Sequence, residues 1–373
     1  MKRIVVIGGT GHFGGRICRR IAGEKNTELV VTSRSKTKAQ AVVDKVQRGS
    51  PTAIISAVRL DRLSPEFGSD LQALDPDIVI HTAGPYQGQD YRVAEVCIES
   101  GSHYIDLADG RDFVQEFDGL DEEAKKKGVL LVTGASTLPG LSSVVIDLLR
   151  KKFKSIQEIE ISIAPAHQTP RGASTIAAVL SYCGMPFEVL IDGNWVTKHG
   201  WHDIRRRRYP IFGIRYSAAC DVPDLGLLPR YVEGLKSVTF HAALEAKWEQ
   251  IALWSMGWVT RAGVIKNWDP FVPIFQRASN WLIGMGSDVG GMQITLSGKT
   301  ADNVSKSVTW NLTARQNHGA EIPCSPALII ARKLVVDEIS VRGAFPCLGM
   351  FSMSDFASEV SDFDIDWSVD ESP

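Results

Sequence analysis

The sequence predicts an α/β protein: a Rossmann doubly wound parallel sheet followed by a second α+β domain built on a mainly antiparallel sheet. Three observations predict it. Short apolar runs alternate with helical patterns through the first half. A glycine-rich turn joins the first run to the first helical pattern. Later in the chain the pattern changes to strict polar and apolar alternation, as strands with one buried face require. At 373 residues the chain exceeds one ordinary core. The expected division is therefore 1–150 for the nucleotide domain and 151–325 for a substrate and dimerisation domain. A C-terminal helix and tail over 326–373 then packs back on the first domain or on the sheet.

Ile4-Val5-Val6-Ile7 reads as a buried parallel strand, and Ile17 and Ile21 fall on one face of the helix that follows. Between them runs Gly8-Gly9-Thr10-Gly11-His12-Phe13-Gly14, which contains the spacing Gly9-x-Gly11-x-x-Gly14. That spacing lets a strand turn sharply and brings backbone close to a pyrophosphate at a helix N-terminus. All seven residues are candidates for cofactor binding. The second strand, Leu29 to Thr32, ends in Ser33-Arg34-Ser35, with Lys36 and Lys38 following. An NAD site usually has an acid there for the ribose hydroxyls. Here Arg34 offers a planar fork for a 2′-phosphate, so NADP (NADPH) is the expected cofactor, with Ser33, Arg34, Ser35 and Lys38 around its adenosine end. The two lysines fit an exposed basic helix start equally well.

Ala53 to Val58 is the expected third strand, ending near Asp61, which serves either the adenine amino group or a turn. Asp77 to Thr82 is the fourth, with His81 in its interior, and it ends in Ala83-Gly84-Pro85-Tyr86. Small residues and a fixed proline at the end of a central strand admit a nicotinamide ribose, which makes Ala83, Gly84 and Pro85 cofactor candidates. A helix over Val93 to Ile98 stops at Gly101. His103 to Leu107 is the fifth strand, with Ala108-Asp109-Gly110-Arg111 as its loop, and Val129 to Val132 is the sixth.

In the second half Glu158 to Ile163, Gly291 to Gly298 and Ser305 to Thr313 alternate as half-buried strands. The last two form a hairpin, and Val238 to Ala243 is a further partner. Pro326 to Val336 is apolar and helical. His202 to Tyr209 holds four consecutive arginines and reads as a solvated loop face, or as an attractor for an anionic substrate. Trp248, Trp254, Trp258, Trp268 and Trp281 lie in a stretch too often broken by charge and proline to span a bilayer. Three readings of it stay open: buried core, a substrate mouth or dimer contact, or peripheral membrane contact.

A formal charge of -2 gives no general reason to expect nucleic acid. The opening Met1-Lys2-Arg3 runs straight into a strand without a signal-peptide pattern. The six cysteines are scattered, with no metal-ligand spacing, so a reduced cytoplasmic chain without a bound metal is expected.

Taken together, Gly8 to Gly14, Ser33-Arg34, Thr82 to Tyr86, Gly101 to Leu107 and Pro139-Gly140-Leu141-Ser142-Ser143 resemble the saccharopine dehydrogenase-like family of NADP-dependent oxidoreductases. Beyond residue 150 the likeness is confined mainly to Arg171 to Thr175, Trp310 with its flanking strand, and the helix after Ile322-Pro323. The resemblance implies hydride transfer between NADPH and a C=N, C=O or C=C bond of a small organic or lipid-like substrate, in a homodimer. The expected catalytic candidates are Tyr86 and Asp109 for the proton, Arg111 for a substrate carboxylate, and Arg171 with Ser174 from the second domain. Two rivals are an NADP-binding sensor without turnover and a lipid-associated scaffold.

Overall fold

The computed structural model describes residues 1–372. The first half supplies β1 (Lys2–Ile7), β2 (Thr27–Ser33), β3 (Ile55–Arg59), β4 (Ile78–His81), β5 (His103–Asp106) and β6 (Leu130–Thr133). The middle of the chain supplies β7 (Ser155–Ala164), β8 (Pro186–Ile191), β9 (Asn194–His199), β10 (Arg205–Tyr209) and β11 (Gly213–Ala219). After these come β12 (Ser237–Leu244), β13 (Gly290–Lys299), β14 (Ser305–Ala314), β15 (Gly343–Pro346) and β16 (Ile365–Ser372).

One sheet has the order β15-β6-β5-β4-β1-β2-β3, and every pairing in it is parallel. Ile4 to Ile7 of β1, and every residue of β4 and β6, are buried. Burial on both faces explains why these strands read as unbroken apolar runs. The order reverses between β1 and β4, the place where open α/β sheets bind ligands beyond their strand ends.

The second sheet has the order β10-β11-β12-β7-β13-β14-β16. All its pairings are antiparallel except β12 with β7. The alternation seen in the sequence puts Ile161, Ile294 and Trp310 in register on one buried face. β8 and β9 form a separate hairpin closed by Asp192 and Gly193, whose φ values of 47° and 79° suit a tight two-residue turn.

The chain divides into two compact units. The first is Met1–Leu141 with Glu321–Glu359; the second is Ser142–Ala320 with the segment from Val360 on. The N-terminal segment of the first unit ends at Leu141, where the helix Ser142–Arg150 begins the second. The C-terminal part is shared: β15 extends the parallel sheet and β16 pairs with β14.

Two expectations from composition change. The arginine run is a strand rather than a loop: β10 is the edge of the second sheet, and exposed cations there discourage pairing with another chain. The tryptophan-rich stretch is not core. It forms the helices Lys247–Arg261 and Val272–Leu282, and Trp248, Trp254, Trp258 and Trp281 are exposed. Among the described residues no helix is long and apolar enough to cross a membrane.

Candidate functional site

β1 ends at Ile7 and the chain turns at Gly8, whose φ of 79° favours glycine. A Cβ at Gly8 would lie 2.9 Å from Thr82 Oγ1 and 3.1 Å from Ala83 N. At Gly14 it would lie 2.3 Å from Gly8 O and 2.6 Å from Thr82 Oγ1. The glycines that shape the turn are therefore Gly8, Gly11 and Gly14. Gly9 does different work: a Cβ there would meet Val31 Cγ1 at 2.8 Å, so its absence lets the turn pack on β2.

Gly11 is exposed, and its N–H donates to Gly8 O at 2.8 Å. The helix Gly14–Ile21 opens beside it with no side-chain cap and no acid in its first turn. An exposed glycine cradle at an uncapped helix start fits the pyrophosphate of a dinucleotide. His12 and Phe13 flank this cradle, both half-buried. Burial, with Arg16 and Arg19 nearby, pushes His12 down to about 4, so its ring is neutral at pH 7. Arg16 pairs with Glu321 at 2.8 Å and donates to His12 O at 2.9 Å, bracing the turn from the helix.

The end of β2 is tied to the turn by hydroxyl groups. Thr10 Oγ1 donates to Ser33 Oγ at 3.2 Å, and the Ser35 N–H donates to the same oxygen at 3.3 Å. Ser35 is the cap of the helix Lys36–Gly49, accepting from Lys38 N at 3.4 Å, and the Lys38 side chain is exposed. Arg34 is exposed, and its carbonyl accepts from Arg59 Nε at 3.3 Å. Arg59, in register with Ser33, brings a second guanidinium to this corner. Asp61 Oδ1 accepts from Leu63 N at 3.1 Å, a turn contact.

At the switch point the loop after β4 lies against the glycine turn, because Thr82 Oγ1 donates to Ile7 O at 2.8 Å. Ala83 and Gly84 are half-buried and Pro85 is exposed. Beneath them is a buried polar network. Asp106 Oδ1 accepts from Ala108 N (2.8 Å), Thr133 Oγ1 (3.0 Å) and Gly134 N (2.8 Å), and His81 Nδ1 meets the Tyr104 hydroxyl at 3.0 Å. Burial pushes Asp106 up to about 6 and His81 down to about 3.

Residues 4–132 match the family model of the saccharopine dehydrogenase NADP binding domain. The match falls within the first unit. The saccharopine dehydrogenase-like oxidoreductases of Mus musculus and Rattus norvegicus are 29% and 28% identical over 157 residues, 39% of this chain. The match spans 35% and 36% of their own lengths, so the chain covers about a third of each. Among solved structures, apo saccharopine dehydrogenase (L-Glu forming) from Saccharomyces cerevisiae superposes with a TM-score of 0.70 at 12% identity, over 99% of this chain and 100% of that one. An amine dehydrogenase from Mycobacterium smegmatis gives 0.50 at 13% identity, over 93% and 95%. These superpositions show the α/β fold.

The sequence candidates for catalysis separate. Tyr86 is buried, and its hydroxyl donates to His81 O at 2.6 Å inside an aromatic cluster with His81 and Phe113. Burial raises it far above the usual tyrosine range, so the phenol keeps its proton, which the His81 carbonyl engages. Asp109 keeps a surface position, accepting from Gln87 Nε2 at 3.2 Å. Its carboxyl is exposed in area yet crowded by surrounding protein, which raises it above the usual range. A Cβ at Gly110 would lie 3.3 Å from Gln87 N, so the loops after β4 and β5 touch. Arg111 opens the helix Arg111–Gln115 directly after them. Arg171 and Ser174 belong to the second unit, Arg171 just ahead of the helix Ala173–Ser181 and Ser174 in its first turn. Arg59 is the residue that sequence reasoning missed. Its only signal is being the last residue of the strand beside Ser33.

Proposed function

We infer that the protein is an NADP-dependent oxidoreductase of the saccharopine dehydrogenase-like type, acting on a C=N, C=O or C=C bond of a small organic or lipid-like substrate. The observation that carries this reading is the exposed glycine cradle at an uncapped helix start, with Arg34 and Arg59 at the adenosine corner and no acid from Ser33 to Lys38. Bound NADPH supplies the hydride chemistry. The chain's own groups orient substrate and handle the proton. Asp109 is assigned the proton, since a carboxyl raised above its usual range keeps it to higher pH. Arg111 is assigned an anionic group of the substrate, and Arg171 and Ser174 further substrate contacts.

Calorimetry with NADPH and NADH tests the cofactor corner. Arg34→Ala is expected to weaken NADPH by about 10- to 100-fold, the loss of a hydrogen-bonded charge pair, and to leave NADH nearly unchanged. Equal losses for the two cofactors remove Arg34 from the phosphate. Following the cofactor absorbance while adding 2-oxo acids, amino acids and enoyl thioesters then tests turnover. Acceptor-dependent oxidation that falls in Asp109→Asn supports the assignment. Oxidation untouched by Asp109→Asn and Arg111→Ala removes these two residues from it.

A further inference from the structure

The helices Lys247–Arg261 and Val272–Leu282 both turn large apolar side chains to solvent. In the first, the buried positions are Gln250, Leu253 and Gly257, while Trp248, Ile251 and Trp258 face solvent. Gln250 is 1% exposed with neither side-chain polar atom hydrogen-bonded, whereas Trp248 is 51% exposed. The second helix has no buried residue at all. Phe271, Ile274, Ala278, Trp281 and Met285 recur at the spacing of one helical stripe, and all five are exposed, Trp281 at 83%. The linker binds the two helices together. Trp268 Nε1 donates to Thr260 Oγ1 at 2.8 Å, and its ring lies 5.5 Å from that of Phe271.

Charge identifies what such a surface meets. Lys247, Arg261, Lys266 and Arg277 are exposed within this segment, against one exposed acid, Asp269. Its other acid, Glu249, is half-buried and faces His167 at 3.6 Å. The Arg261 guanidinium stacks 4.5 Å above the Trp258 ring, keeping cation and aromatic face together. A two-fold contact between copies brings together two patches of the same net positive charge, which disfavours self-association. Tryptophans among aliphatic side chains, rimmed by lysine and arginine, match the acyl and headgroup boundary of a negatively charged leaflet.

We propose that this helix pair docks the protein on the surface of anionic lipid membranes. The site is independent of the nucleotide fingerprint and asks nothing of the assigned activity.

Flotation of the full chain with phosphatidylcholine vesicles, and with the same vesicles containing phosphatidylserine, tests it. Binding is expected to the anionic vesicles, to weaken by about fivefold for each exposed cation neutralised, and to fall as salt rises. Ile274→Ser and Trp281→Ser, both at exposed positions, are each expected to lose roughly tenfold in vesicle affinity while NADPH binding is retained. No flotation with either vesicle overturns the proposal, as does equal binding to both. A concentration-dependent dimer, read by light scattering and abolished by Trp281→Ser, assigns the face to a second copy and overturns it as well.

Discussion

Gly11→Ala is expected to weaken NADPH binding by about 30- to 100-fold while leaving the thermal midpoint almost unchanged, whereas Gly14→Ala lowers both. The difference follows from what an added methyl meets. At Gly11 a Cβ finds only Gly8 O, at 3.1 Å, on the exposed side of the turn, so it obstructs the anion cradle more than the fold. Loss of about 2 to 2.8 kcal/mol of charge-assisted bonding accounts for the affinity change. At Gly14 the Cβ is driven to 2.3 Å from Gly8 O and 2.6 Å from Thr82 Oγ1, so β1 and the loop after β4 must both move. Overpacking of that kind costs roughly 1–3 kcal/mol, and about 2–4 °C per kcal/mol in a unit of this size. Calorimetry paired with thermal melts separates the two variants. Retained NADPH affinity in Gly11→Ala contradicts the phosphate assignment.

Asp106 is the second place where one residue is expected to matter greatly. Its buried Oδ1 satisfies two backbone N–H groups and the Thr133 hydroxyl. Asp106→Ala leaves these donors unpaired in the interior and is expected to destabilise by about 3–6 kcal/mol, a large part of ordinary domain stability. Asp106→Asn keeps an acceptor oxygen and removes the charge. The sign of its pH dependence follows from the raised value of about 6 against an ordinary 3.8. The folded state holds the proton more tightly, so the wild type loses stability as pH rises from about 4 through about 6. The Asn variant lacks this loss, and denaturant melts on either side of that window should show it gaining relative to wild type at the higher pH. A constant difference between the two across pH removes Asp106 as the titrating group.

The parts legible in the sequence are those with local causes. β1, β4 and β6 are buried on both faces, which forces unbroken apolar runs, and the glycine turn must follow β1 because no other residue fits Gly8 or Gly14. The Asp192-Gly193 hairpin was equally legible, a two-residue turn between strands, yet it is absent from the expectations. Other features depend on distant partners. β15 is four residues long, and only its pairing with β6 makes it a strand. Arg59 becomes a neighbour of Ser33 through register, and the direction of the Tyr86 hydroxyl is decided by the carbonyl it finds at His81. The tryptophans left three readings open because aromatic content alone does not say which face of a helix is covered; Gln250 inside and Trp248 outside exclude the core reading.

β15 also sets a timetable. A chain emerging from the ribosome presents β6 long before it presents Gly343–Pro346, since the whole of β7 to β14 is made in between. At about 5–20 residues per second that interval is roughly 10–40 s. Through it the outer edge of β6 offers its amides and carbonyls to any extended chain nearby, including a second nascent copy on the same message. The nucleotide domain is thus a unit whose last strand arrives late, and truncation ahead of Gly343 would leave that edge open for good.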